Sequence, residues 1–135
     1  MKVSGGCHCG AIAYEAEIDP EQVGICHCSD CQMLTGTVYR VSVPAPAEQF
    51  KLTRGTPTVY IKRTADSGRE RAHAFCPQCG SPIYATAPKD PKAYTLRVGN
   101  IAERASLPPK RQMWVKSRLP WAGEDLDTLP GPEKQ

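Results

Sequence analysis

Three cysteines, Cys26, Cys28 and Cys31, lie within six residues of one another, and this triplet constrains the fold more than any other feature. One residue separates the first two thiols and two residues separate the second pair, so the three sulfurs can converge on one ion. Soft thiolates grouped in this way are typical ligands of Zn²⁺. Three ligands leave one position of a tetrahedral ion free, which is typical of catalytic rather than structural zinc. The triplet therefore predicts a reactive zinc site.

Four further cysteines form two pairs: Cys7 with Cys9, and Cys76 with Cys79. A glycine follows each pair, as in a zinc knuckle, whereas Gln32 follows the triplet. This pattern favours one structural zinc held by the two pairs, which would join the N-terminal segment to the second half of a small core. In an extended segment Cys7 and Cys9 would point to the same side. The alternative is a structural zinc held by Cys76 and Cys79 together with two of the three cysteines of the triplet.

The triplet would be a second structural site if a histidine supplied its fourth ligand. His27 lies between two of the cysteines, so we expect it to point away from an ion that they share. His73 lies on a strand-like segment before the second pair, where a packed or exposed imidazole is more common. The sequence therefore favours an open site and keeps the closed site as an alternative.

The number of cysteines also bears on the compartment. Seven is odd, so disulfides cannot pair every cysteine. The N-terminal residues contain no apolar region of the kind found in secretion signals, and no apolar run approaches the length of a membrane span. We therefore expect a cytoplasmic protein with no membrane partner, because thiols stay reduced there and clustered cysteines often bind metal.

Short strands and many turns are expected from 13 prolines and 11 glycines among 135 residues. The clearest strand covers residues 11–18, where Ile12, Tyr14, Ala16 and Ile18 alternate with other residues, two of them acidic. Further strands are predicted at 37–43 (ended by Pro44 and Pro46), 50–53, 58–62, 82–86, 94–98 and 112–116.

A short helical turn is expected to begin within the triplet, capped by Ser29 or Asp30 and ended by Gly36. No segment has the pattern of a long helix. The predicted fold is mainly β: a single zinc-stapled domain of short antiparallel sheets over residues 1–121. A polar, proline-rich tail follows over residues 122–135.

The formal charge of +3 treats every cysteine as neutral. If all seven were thiolates bound to two zinc ions, the net charge would fall to zero, so overall basicity does not predict nucleic-acid binding. Fifteen of the 17 basic residues lie between residues 40 and 118. Most of them are expected to form a solvated basic surface. A few would face an anionic ligand near the metal, with Arg40 and Arg97 as candidates. The alternative for both, an exposed charge on a strand, is the favoured one.

Several motifs occur together along the chain: Gly6-Cys7-His8-Cys9-Gly10, Tyr14, Cys26-His27-Cys28-x-x-Cys31 with Gly36, Phe75-Cys76-x-x-Cys79-Gly80, and Trp121. In this order they resemble the glutathione-dependent formaldehyde-activating enzyme family, whose domain also occurs in centromere protein V. The resemblance spans roughly residues 3–121, and the three cysteine groups make it specific.

The resemblance implies a β-rich fold of the Mss4-like β-tent type, with two zinc ions per chain. Carried over by position, the structural zinc would be held by Cys7, Cys9, Cys76 and Cys79, and the catalytic zinc by Cys26, Cys28 and Cys31. The implied activity is addition of glutathione to formaldehyde, a carbon–sulfur lyase reaction when written in reverse. The first cysteine lies at position 7, so we expect no N-terminal extension like that of the longer formaldehyde-activating members. The resemblance therefore specifies the zinc sites more closely than the substrate.

Two other functions fit the same residues. One is a non-catalytic protein that binds glutathione or a similar small thiol at zinc. The other is an interaction module with two structural zinc ions and a basic contact surface. A thiol bound at the metal with turnover indicates the enzyme, and a bound thiol without turnover indicates the thiol-binding protein. If no thiol binds at the metal, the interaction module is indicated. The sequence does not predict the oligomeric state.

Overall fold

The computed structural model describes residues 1–134, which contain ten β-strands and one α-helix. The strands are β1 Lys2–Gly6, β2 Ala13–Glu17, β3 Gly24–Cys26, β4 Arg40–Pro46, β5 Phe50–Arg54, β6 Thr58–Lys62, β7 Arg71–Phe75, β8 Pro82–Thr86, β9 Ala93–Arg97 and β10 Arg111–Met113. Helix α1 covers Ser29–Thr35. Short 3₁₀ helices lie at Pro20–Gln22, Ala47–Gln49, Val98–Asn100, Arg104–Ser106, Val115–Ser117 and Leu126–Thr128.

The strands form two sheets, so the predicted mainly β fold of short antiparallel sheets is confirmed. A three-stranded sheet has the order β1-β2-β5, and a seven-stranded sheet has the order β10-β3-β4-β9-β8-β7-β6. Neighbouring strands are antiparallel except for β10 and β3, which run parallel. Within residues 1–134 none of the helices has the length and apolar character needed to cross a membrane.

The core lies between the two sheets and follows the alternation of the sequence. Ile12, Tyr14, Ala16 and Ile18 are all buried, as the pattern of residues 11–18 predicts. A partly buried aromatic group packs against this core, where Phe50 stacks on Tyr94 with ring centroids 4.3 Å apart. Buried apolar area of this kind is the main driving force for folding.

Strand β4 differs from its prediction because it continues through both prolines. Strand β3 pairs only with its first part, from Arg40 to Ser42, whereas β9 pairs with it as far as Pro46. Beyond Ser42 one side of β4 is therefore an edge. Proline is tolerated at such an edge, because a missing N–H there removes no bond of the ladder.

The last predicted strand, residues 112–116, is only partly correct. Strand β10 ends at Met113, because Trp114 has a φ of 56° in the left-handed region and a 3₁₀ helix follows. Residues 65–68 form a turn, closed by the Gly68 N–H donating to the Ala65 carbonyl.

The predicted tail, residues 122–135, ends at Gln135, which lies outside the described residues. Its described part, residues 122–134, contains the 3₁₀ helix Leu126–Thr128, and Leu126 and Leu129 are exposed.

Candidate metal centres

Two turns bring the four paired cysteines together. The Sγ of Cys9 lies 3.6 Å from that of Cys7 and 3.7 Å from that of Cys76. All four sulfurs, including that of Cys79, lie within 4.8 Å of one another. The segment from Cys7 to Cys9 is a turn, so the expectation of an extended segment was wrong. Its bend is closed by the N–H of Gly10, whose φ of +81° needs glycine.

These sulfur separations fit a single tetrahedral metal ion. Four sulfurs at about 2.3 Å from a zinc ion would stand about 3.8 Å apart, whereas a disulfide needs about 2.05 Å. All seven cysteines of the chain are free thiols. The four-cysteine group therefore has the donor chemistry and the spacing of a closed zinc site.

Ser81 joins the two turns of this group. Its hydroxyl accepts a hydrogen bond from the His8 N–H at 3.1 Å and lies 3.2 Å from the Cys79 sulfur. Hydrogen bonding from Ser81 lowers the pKa of Cys79 to about 5, which favours the thiolate. The Ile12 N–H likewise donates to the Cys7 sulfur at 3.2 Å. Sequence analysis did not identify Ser81, although its place directly after Gly80, which follows the second pair, was a usable signal.

The second group is built where β3 runs into α1. Cys26 ends β3, Cys28 is the N-terminal cap of α1, and Cys31 lies in its first turn; their sulfurs lie within 4.8 Å of one another. The Cys28 sulfur accepts the Cys31 N–H at 3.3 Å. The cap is therefore Cys28, and the expectation of Ser29 or Asp30 was wrong. The predicted end at Gly36 is confirmed by its φ of 66°.

Two thiols of this group, Cys26 and Cys31, have pKa shifts of opposite sign. The hydrogen bond with Cys31 lowers the pKa of Cys26 to about 5, and the positive charge of Arg40 acts in the same direction. The same hydrogen bond raises the pKa of Cys31, because Cys31 is the proton donor. A thiolate is already favoured here, and thiolates are the form that binds metal.

Within residues 1–134, no histidine, carboxylate or further cysteine joins the three sulfurs. His27 is 2% exposed, and its Nε2 lies 2.8 Å from Oε1 of Gln112. His73 lies instead between Arg40 and Arg97. Neither histidine that the sequence offered as a fourth ligand is part of the group.

Arg40 and Arg97 are buried on the same face of the seven-stranded sheet as Cys26. Arg40 is 5% exposed and Arg97 is 6% exposed, so the alternative of exposed strand charges was wrong. Burial lowers the pKa of both arginines, and repulsion from Arg40 lowers that of Arg97 further. Burial, followed by the nearby arginines, lowers the pKa of His73 to about 3, so its imidazole is neutral.

Cys28 lines one of two cavities in this part of the molecule, and Arg40, which lies opposite Cys26, lines the other. One, of about 330 Å³, lies between α1 and the 76–80 turn; Leu34, Gly80 and both buried arginines line it. The other, of about 520 Å³, is lined by Cys28 and by the exposed Trp114. Sequence analysis found the arginines but neither cavity, because the cavities depend on how distant segments pack.

The fold and the two sulfur clusters define a class of protein: a small β domain with two cysteine clusters whose donor chemistry suits metal ions. Residues 2–117 match the model of the family described as "Glutathione-dependent formaldehyde-activating enzyme", and the chain belongs to this family. A crystal structure of a Rhodobacter sphaeroides protein, a structural genomics target, is similar, with a TM-score of 0.63 and 22% sequence identity. The match covers 82% of this chain and 99% of that chain, and at this identity it shows the fold alone.

Proposed function

We propose that this protein is a zinc-dependent enzyme that adds glutathione, or a similar small thiol, to formaldehyde or another small electrophile. One observation carries the proposal: three sulfurs converge with no fourth donor from the described residues. Cys26, Cys28 and Cys31 would hold the reactive zinc, and Cys7, Cys9, Cys76 and Cys79 the structural one. The family to which the chain belongs supports the reaction class.

A zinc ion bound by the triplet would supply a fourth position at which a thiol loses its proton. Three thiolates and one Zn²⁺ carry a formal charge of −1, which opposes the approach of a further thiolate. Arg40 offsets this charge, because it lies opposite Cys26 and its positive charge acts on all three thiols. The chain therefore provides both an open metal position and a compensating cation.

The proposed reaction is balanced without an oxidant or reductant. The substrate sulfur forms a bond to the aldehyde carbon, the carbonyl π bond breaks, and the oxygen takes up the proton that the thiol gave up. With glutathione and formaldehyde the product is S-hydroxymethylglutathione, and the reverse reaction is that of a carbon–sulfur lyase. Seven free thiols fit a reducing compartment, and we place the reaction in the cytoplasm.

Cadmium substitution tests the thiol-binding step directly. Thiolate sites accept this soft metal, and the cadmium–thiolate absorption band grows with each added sulfur. Glutathione should increase the band, whereas S-methylglutathione, which cannot form a thiolate, should not. The absence of any response to glutathione would refute thiol binding and favour an interaction module.

Turnover is measured separately on the zinc protein, as formation of S-hydroxymethylglutathione above the spontaneous rate. The Cys28→Ser variant serves as the control, because it lacks one of the three sulfurs. If glutathione increases the absorption band but the protein does not accelerate product formation, the protein is a thiol carrier, or an enzyme for another electrophile.

A further inference from the structure

Arg40 and Arg97 have no acidic partner among residues 1–134. The ion pairs found there join Lys62 to Asp30, Arg63 to Glu70 and Lys110 to Glu21. The Nε atoms of both buried arginines also lack any hydrogen-bond partner. Burial of an unpaired charge costs several kcal/mol, so two such cations in one place need an explanation.

The nearest polar partner of both guanidinium groups is one neutral imidazole. Nη1 of Arg40 lies 3.4 Å from Nδ1 of His73, and Nη2 of Arg97 lies 3.2 Å from the same atom. Because both arginines can only donate, His73 Nδ1 is the acceptor and its proton lies on Nε2. This contact orients the guanidinium groups toward each other, but it supplies no negative charge.

A zinc-bound triplet would balance only part of this positive charge. Its formal charge of −1 offsets one arginine and leaves the other. Arg71 is half-buried on the same face and donates to the Thr95 hydroxyl at 3.5 Å, so it adds a third cation. Lys62 is already paired with Asp30 at 2.9 Å. A bound thiolate would supply one further negative charge, and at least one more anionic group is still needed for balance.

A carboxylate fits this place by geometry as well as by charge. Guanidinium groups donate two parallel hydrogen bonds to a carboxylate, and the Nε–H edge is one of the donors in such pairs. The cavity of about 330 Å³ has both arginines on its wall, together with the apolar side chains of Phe75 and Pro82. Arg40 links this cavity to the three-cysteine group, because it lines the cavity and also lies opposite Cys26.

We propose that the pocket formed by Arg40, Arg97 and His73 binds a carboxylate of the thiol substrate. The preferred substrate class is then a small thiol that carries a carboxylate, with its sulfur at the three-cysteine centre and its acid group between the arginines. This inference rests on the proposed function, since it assumes that a thiol binds at that centre.

The test compares glutathione with glutathione diethyl ester, which keeps the thiol and has no carboxylate. Dissociation constants are measured with the cadmium-substituted protein from the thiolate absorption band. Wild-type protein should bind glutathione about 10- to 100-fold more tightly than the ester, the range of a charge-assisted hydrogen-bond pair. In Arg97→Met the preference for glutathione over the ester should fall to within a few-fold. The same fall is expected in the second variant, Arg40→Met.

Arg63→Met is the matched control, because it removes the same charge from an exposed arginine that is paired with Glu70. It should keep the wild-type preference. Metal content and melting temperature are compared for all variants, so that only folded, loaded proteins enter the comparison.

The outcomes separate the two proposals. If neither glutathione nor the ester changes the absorption band, the proposed function fails. If both bind equally to wild-type protein, or if Arg97→Met and Arg40→Met keep the preference, the carboxylate pocket is refuted while thiol binding stands.

A carboxylate on the electrophile is the other source of the same chemistry, and glyoxylate in place of formaldehyde tests it. A loss of rate in Arg97→Met that is larger with glyoxylate than with formaldehyde, without any change in the preference for the acid form of the thiol, would overturn the assignment to the thiol.

Discussion

Arg40 lies directly opposite Cys26 in the register of strands β3 and β4. Side chains at directly paired positions share a face and have Cβ atoms about 5 Å apart. On the next pair of strands Arg97 lies opposite Ser42, which shares that face with Arg40. Val43 and Leu96 point to the core on the other face. The alternation that builds the core therefore also places the cations beside the sulfurs.

Two zinc ions per chain are expected in purified protein, because the sulfurs form one group of four and one group of three. Elemental analysis against protein concentration measures the number. Thiol titration of the native protein provides the complementary value, since metal-bound cysteines should react slowly. One zinc ion together with three reactive thiols would contradict the proposal for the triplet.

Loss of a cysteine should have unequal effects in the two groups. Cys76 is fully buried, and a structural zinc contributes directly to folding, so Cys76→Ser should cost more than about 4 kcal/mol. Cys28→Ser should cost about 1 kcal/mol or less, because serine is itself a good helix cap. Cys28→Ala, which removes the cap as well, should cost about 1 kcal/mol more than Cys28→Ser. Denaturant unfolding measures all three, and equal losses for Cys76→Ser and Cys28→Ser would indicate two structural sites.

The cysteine groups and the main strands were predictable, because spacing and alternation act locally. The burial of Ile12 and Tyr14 follows from period-two alternation alone. Two errors were local, the cap of α1 at Cys28 and the turn at residues 7–9. The error in β4 occurs where a distant segment decides. Strand β4 passes through Pro44 because its pairing with β3 extends only to Ser42, opposite Gly24, and leaves an edge beyond that residue. No local pattern predicts where that pairing stops.

In the site, too, some features follow from local sequence spacing and others follow from the packing of distant segments. Cysteine spacing predicted which sulfurs lie together, but the cavity beside Arg97 is formed by α1, β4, β6, β7, β8 and β9 together. Whether Arg97 is an exposed charge or a buried one depends on that packing. The basic pocket could therefore be suspected from the sequence but not distinguished from a solvated surface.

Tyr14→Phe should leave the free energy of unfolding unchanged or raise it by up to about 1 kcal/mol. The Tyr14 hydroxyl is buried without a hydrogen-bond partner, and burial raises its pKa, so the group is neutral and unsatisfied. Its removal relieves a desolvation cost and keeps the ring beside Phe50. Urea unfolding provides the measurement. A loss of more than about 1 kcal/mol would show that the hydroxyl has a partner.

Gly36→Ala should destabilise the protein by about 1 kcal/mol, because the residue that ends α1 has a φ of 66°. Gly99→Ala is the matched control. A Cβ at either position would meet no atom within 4 Å, but only Gly36 has a positive φ. Thermal unfolding should therefore show a lower melting temperature for the first variant and little change for the second. Equal effects would contradict the assigned role of the left-handed conformation.

The last prediction concerns the pH dependence that His73 adds to stability. Its native pKa of about 3 lies below the value of about 6.5 expected in the unfolded chain, so between these values the unfolded state binds more protons. Stability from this residue is therefore complete above pH 7 and falls as the pH drops. Between pH 7 and pH 5 the loss would reach up to about 2 kcal/mol, reduced where solvent screens the partly exposed imidazole.

His73→Asn isolates this contribution, because the amide oxygen can still accept from the arginines but does not titrate. Other acid-sensitive groups, including the thiolate clusters, are common to both proteins and cancel in the difference between them. We therefore expect the variant to lose less stability than wild-type protein between pH 7 and pH 5, as measured by urea unfolding at each pH. Parallel losses in the two proteins would mean that His73 takes up its proton equally in the folded and unfolded states. That result would contradict its position between two buried cations, Arg40 and Arg97.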